Sequence, residues 1–259
     1  MFQLLGAETH VCLKAGQKLP FGEAETQLLH KSCILGEGVN AGVLLRRSKA
    51  ENSGWLDITA GWMLAVLCGI FTAQLFGSAD AHLNPAITLA LAVKTKNFGS
   101  LASFALAQML GAFTGAVLVW IHYFPHWKVT EDPELKRAVF CTSPAIRNPL
   151  ANFLSEAVGT CVLVLVIGAM TSKLVLSTGA ASGLTPWLVS CVVWGIGLSL
   201  GGTTGYAINP ARDLGPRIAH ALLPISGKGS SDWGYAVIPV LGPAVGGAVA
   251  GFVLRWLGA

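Results

Sequence analysis

Asn84-Pro85-Ala86 recurs half a chain later as Asn209-Pro210-Ala211, and Arg212-Asp213 follows the second copy directly. Asparagine before proline suits a helix start. The side-chain oxygen caps free N–H groups, and proline, which lacks an N–H, fits the first helical position. Such an end also carries unpaired N–H groups and a partial positive charge. If two such ends meet inside a narrow channel, Asn84 and Asn209 offer amide hydrogens to a passing hydroxyl or water oxygen, and the positive ends disfavour protons and cations. Capping alone accounts for either asparagine but not for the repeat. Arg212, just inside an apolar stretch, is costly there and reads as functional, because its fork of donors binds hydroxyls and repels cations. The plainer alternative is a salt bridge to Asp213.

These residues need elements that hold them at mid-membrane. Of 259 residues, 53% are hydrophobic and 12% charged, against roughly 25% charged in a soluble domain. Mean hydropathy is +0.61. The composition indicates an integral membrane protein, and the net charge of +4 gives no case for nucleic acid. Apolar runs long enough to span a bilayer cover residues 56–76, 98–123, 150–171, 184–202 and 235–257. Two shorter runs, 84–93 and 209–223, begin at the repeated motif and read as half-helices, each with a re-entrant loop. Two halves with matching interrupted segments are the pattern of a transporter or channel whose site lies at the bilayer midplane. Residues 122–148, 172–183 and 224–234 read as loops. Gly111-x-x-x-Gly115 and Gly242-x-x-x-Gly246 have the spacing for close helix crossings. The six cysteines show no metal-ligand spacing, and those in spans act as small apolar residues.

Symmetry asks for a spanning helix before residue 45. Residues 9–31 instead carry Lys14, Lys18, Glu23, Glu25 and Lys31, and each central charge costs about 2.5–3.5 kcal/mol on insertion. That stretch is expected not to insert, leaving 33–45 as the end of a span.

The residues resemble the major intrinsic proteins, the aquaporin and glycerol facilitator family, from about Leu35 to the C-terminus. The resemblance rests on both Asn-Pro-Ala motifs, Gly61-Trp62, Glu-x-x-Gly-Thr at Glu156–Thr160, and the specific run Gly-Tyr-Ala-Ile-Asn-Pro-Ala-Arg-Asp-Leu-Gly-Pro from Gly205 to Pro216. It implies an all-α membrane fold, a six-helix inverted repeat with two half-helices, with one pore in each subunit of a homotetramer. The expected organisation is an atypical segment 1–34 and a channel domain 35–259, with repeats over 35–123 and 149–259 joined by loop 124–148.

The resemblance also implies a constriction of Trp62, Gly197, Tyr206 and Arg212. Glycine at 197 leaves space, while Trp62 and Tyr206 present ring faces opposite the Arg212 donors, an arrangement fit for a polyol. Asp213 after Arg212 resembles the glycerol-conducting branch. Trp62 alternatively reads as an interfacial belt residue. Glu156, an acid inside a span, is implied to bind backbone N–H groups of a re-entrant loop, with a proton relay as the sharper alternative. His82 is expected to order the loop before Asn84 rather than sense pH.

The leading expectation is a passive, multi-pass plasma-membrane channel for glycerol, water and similar small neutral solutes. It has no catalytic residues, metal or cofactor, and its environment is the lipid bilayer. A water-selective channel is the first alternative, and needs a tighter constriction. An ion-coupled carrier needs several acids facing a cavity, where Glu156 stands alone. A membrane enzyme lacks a nucleophile, base or metal cluster in the spans. A further alternative is an inactive channel, because the first helix is disrupted.

Overall fold

The computed structural model describes residues 32–78, 80–181 and 183–259. The expectations for residues 9–31, and for Glu23 as the mirror of Glu156, lie outside the described residues. Every regular element within them is helical. In chain order these are α1 (Ser32–Leu44), α2 (Trp55–Leu75), α3 (Pro85–Thr95), α4 (Leu101–His122), α5 (Phe124–Val129), α6 (Pro133–Phe140), α7 (Pro149–Thr171), α8 (Leu184–Ser199), α9 (Pro210–Leu222) and α10 (Ile238–Leu257).

Four helices, α2, α4, α7 and α10, are long and apolar enough to cross a membrane. α8 falls short of its expected end. Its α-helical part stops at Ser199 and a 3₁₀ turn, Gly201–Thr203, completes the run. Sixteen α-helical residues at 1.5 Å and three at 2.0 Å still give about 30 Å, the thickness of a bilayer core. The stretch 122–148 is not simply a loop, since it folds into α5 and α6. Pro125 and Pro133 stand in first helical turns, where a missing N–H costs nothing, and the Asp132 side chain accepts from Glu134 N at 2.8 Å.

The exterior is apolar, with Leu64, Phe71, Leu106, Leu154 and Phe252 all roughly half exposed or more. The interior holds ionisable side chains, with Glu37, Glu156, Asp213, Arg217 and His220 all buried. This inverted distribution suits a hydrocarbon solvent.

The two halves interlock. α4, last helix of the first half, packs on half-helix α9, and α10, last of the second, packs on half-helix α3, while α2 meets α8 across the middle. Backbone contact makes this possible. A Cβ on Gly246 would lie 2.1 Å from Ala157 O of α7, and one on Gly251 would lie 2.3 Å from Ala90 O of α3. No side chain fits either place, so glycine there sets the depth at which α10 seats the first half-helix.

Candidate functional site

Both asparagines stand as N-caps. Asn84 Oδ1 accepts from Ala86 N at 2.8 Å, and Asn209 Oδ1 accepts from Ala211 N at 2.9 Å and Arg212 N at 3.2 Å, with proline in the first helical turn each time. The amides also tie the two halves together. Asn84 Nδ2 donates to Ile208 O at 2.8 Å, and Asn209 Nδ2 donates to Leu83 O at 2.9 Å. Each NH₂ has two hydrogens, and the carbonyl takes one. The other remains for a molecule in the cavity that both asparagines line.

The approach loops share one unusual backbone. Ala81 and Leu83 have φ of 42° and 53°, and Tyr206 and Ile208 have φ of 39° and 40°. Non-glycine residues in this region are strained, and strain of this kind gathers at functional sites. Here it falls at matching positions, one and three residues before each asparagine. Glu156 holds the second loop in place, since its carboxylate accepts from Ala207 N at 2.9 Å and Ile208 N at 2.7 Å.

The cavity is about 240 Å³ and runs from Trp62, Tyr206 and Arg212 past the asparagines to His82 and Gln74. Its lining includes donors, from Arg212, Asn84 and Asn209. It also includes the apolar side chains of Val66, Ile70, Ile87, Leu163 and Val193. In this lining the Arg212 guanidinium lies 4.0 Å from the centroid of the Trp62 ring, a cation–π contact. Trp62 is buried rather than interfacial, and its Nε1 donates to Asn40 Oδ1 at 3.1 Å. Arg212 Nη1 and the Tyr206 hydroxyl are buried without a hydrogen-bond partner among the described residues.

Gly197 sits apart from this lining, and the room it leaves is filled. A Cβ there would lie 2.9 Å from Tyr206 Cζ and 3.0 Å from Thr59 Cγ2. Its glycine therefore seats the Tyr206 ring rather than opening space directly to a solute. Trp55 completes the seat. Its Nε1 donates to Gly197 O at 3.1 Å, and its ring meets Tyr206 edge-on at 5.7 Å.

Residues 29–254 match the family described as Major intrinsic protein. The chain belongs to the major intrinsic protein family. It is 50% identical over 226 residues to a protein of Thermotoga maritima named a probable glycerol uptake facilitator, covering 86% of this chain and 93% of that one. It is 51% identical over 219 residues to the glycerol uptake facilitator protein of Bacillus subtilis, covering 84% and 77%. The X-ray structure of the aquaglyceroporin from Plasmodium falciparum superposes with a TM-score of 0.76 at 27% identity, covering 88% and 93%. Family membership makes this chain an integral membrane channel and not an enzyme.

Within that family fold, the remaining site residues act as supports. Asp213 pairs with Arg217 rather than Arg212. Its Oδ2 accepts from Arg217 Nε at 2.7 Å, and its Oδ1 accepts from Arg217 Nη2 at 2.8 Å, Thr142 N at 2.8 Å and Thr142 Oγ1 at 2.6 Å. Arg217 also donates to Thr142 O at 2.9 Å and Asp232 O at 3.0 Å. The pair thus pins α9 to two loops at once. Around His82, Thr88 Oγ1 donates to Asn84 O at 3.1 Å, accepts from Gln108 Nε2 at 3.2 Å, and meets His82 Nδ1 at 3.1 Å. A hydroxyl has one proton, and Asn84 O takes it, so His82 must present an Nδ1–H. Arg217, Trp55, Asn40 and Gln108 were not singled out by the sequence. Only Arg217 carried a signal, its i,i+4 spacing from Asp213.

Proposed function

We propose that this chain is a passive channel for glycerol and related small neutral solutes, with water as a co-permeant. The single observation that carries the reading is a cavity lined both by hydrogen-bond donors and by aliphatic side chains. A polyol presents hydroxyls on one side and C–H groups on the other, so it exchanges its hydration for Arg212, Asn84 and Asn209 while its carbons lie on Val66, Ile87 and Val193. Trp62, Tyr206 and Arg212 form the constriction, with Gly197 behind the tyrosine. The two asparagines form the second checkpoint, where helix-end charges oppose cations. Flux follows the gradient and involves no covalent step. The names of the Thermotoga and Bacillus relatives support glycerol as the solute. The apolar exterior fits a homotetramer of such pores in the plasma membrane.

Tyr206 favours a second reading, a water-selective channel, because its ring fills the space beside Gly197. Stopped-flow light scattering of proteoliposomes under glycerol and sucrose gradients separates the two. Fast glycerol entry is the expected result. Fast water flux with glycerol excluded would replace the facilitator reading with the water channel.

A further inference from the structure

Arg212 brings a full positive charge into an apolar interior, and the nearest acid in sequence, Asp213, is committed to Arg217 and Thr142. Another acid is buried on the helix that packs against the tryptophan. Glu37 of α1 is 0% exposed, and neither carboxylate oxygen has a hydrogen-bond partner among the described residues. Its position is tightly fixed. Gly36, beside it, lies so close to the Trp62 ring that a Cβ would fall 2.5 Å from Cε3. One turn further on, Asn40 accepts from Trp62 Nε1 and donates to Val139 O, both at 3.1 Å. The Trp62 ring is thus held between α1 and the Arg212 guanidinium. Burial disfavours the ionised form of the Glu37 carboxylate, and the Arg212 guanidinium favours it.

Two unsatisfied groups of complementary kind are therefore buried on the elements that hold the Trp62 ring: the Glu37 oxygens and Arg212 Nη1. Buried polar atoms are nearly always paired, directly or through ordered water, and a buried charge without a partner is costly. We infer that Glu37 is the counter-charge and positioning group of Arg212, joined to its Nη1 through a bound water, and that it thereby sets how the constriction discriminates glycerol from water. This rests on the reading of Trp62, Tyr206 and Arg212 as the constriction. Anchored from behind, the guanidinium presents a fixed subset of its donors to the solute, and the local charge is nearly balanced. Without Glu37 the guanidinium turns toward the lumen and binds whatever oxygen it meets, which favours water over a polyol that must fit a defined geometry.

The test uses the full chain in proteoliposomes as wild type, E37Q, E37D, R212Q and E37Q/R212Q, under glycerol and sucrose gradients. E37Q is expected to lower the glycerol-to-water permeability ratio about fivefold, E37D to recover most of it, and the E37Q effect to vanish in the R212Q background. An unchanged ratio in E37Q, or the same loss in both backgrounds, overturns the inference. If E37Q alone does not fold, recovery of the folded protein in E37Q/R212Q supports the charge pairing, and equal loss in both overturns it. Thermal stabilities of wild type, the two single charge variants and the double variant decide the pairing even if wild type moves no glycerol. Failure of the constriction reading is thus separable from failure of the Glu37 inference.

Discussion

Replacing Asp213 with Asn removes the charge that pins the second half-helix while keeping the side-chain shape. The native carboxylate accepts two hydrogen bonds from Arg217 and two from Thr142, and both ionic side chains are fully buried. In D213N the Arg217 guanidinium keeps carbonyl acceptors on Thr142, Ser231 and Asp232 but has no counter-charge. Breaking a buried pair in this way costs about 3–5 kcal/mol. R217M leaves the carboxylate with Thr142 alone and costs a similar amount. In D213N/R217M both charges are gone, and the residual cost is that of orphaned polar groups at about 1–3 kcal/mol each. The single losses would sum to roughly 6–10 kcal/mol, while the double variant should lose clearly less, by a coupling of about 2–3 kcal/mol. Thermal denaturation of the four purified proteins in one detergent measures this. At roughly 2–4 °C per kcal/mol, each single variant should melt about 6–20 °C lower than wild type. Losses that simply add, or a D213N midpoint equal to wild type, would refute the clamp.

Other perturbations follow from the same contacts. Gly251→Ala places a Cβ against Ala90 O, so it should displace the first half-helix and reduce glycerol flux sharply, whereas Gly234→Ala, with open space around it, should leave flux unchanged in the same assay. Glu156→Gln exchanges one acceptor oxygen for an NH₂ facing a backbone N–H, which should cost about 1–3 kcal/mol and lower the melting temperature, with conduction reduced because Ile208 O also holds Asn84. Gly197→Ala should push the Tyr206 ring toward the lumen, so stopped-flow traces should show glycerol entry falling more than water entry.

The half-helices were legible because asparagine, proline and an abrupt apolar start all specify a helix end, and the structure begins α3 and α9 one residue after each asparagine. The long spans were legible because nothing but an apolar run of that length crosses a bilayer. α5 and α6 escaped because Pro125 and Pro133 read as breakers when they stand in first helical turns. The seating of Tyr206 on Gly197, and of Trp62 between α1 and Arg212, escaped for a different reason. Both depend on segments far apart in sequence meeting at one point, Trp55 and Thr59 against Gly197 and Tyr206 in one case and Trp62 against Arg212 in the other, and no local periodicity encodes which face meets which. The pairing of Asp213 with Arg217 lay within reach, since four residues on one helix is the spacing of facing side chains.

The central claim is that a cavity lined by donors and by apolar side chains conducts neutral polyols while the helix ends at Asn84 and Asn209 stop charge. The direct measurement loads one batch of proteoliposomes with a pH-sensitive dye and follows light scattering and dye fluorescence under a glycerol gradient and a proton gradient. The account predicts glycerol entry far faster than in protein-free vesicles, with proton flux no greater than theirs. Glycerol entry no faster than the protein-free rate, or proton flow through the protein, would contradict it.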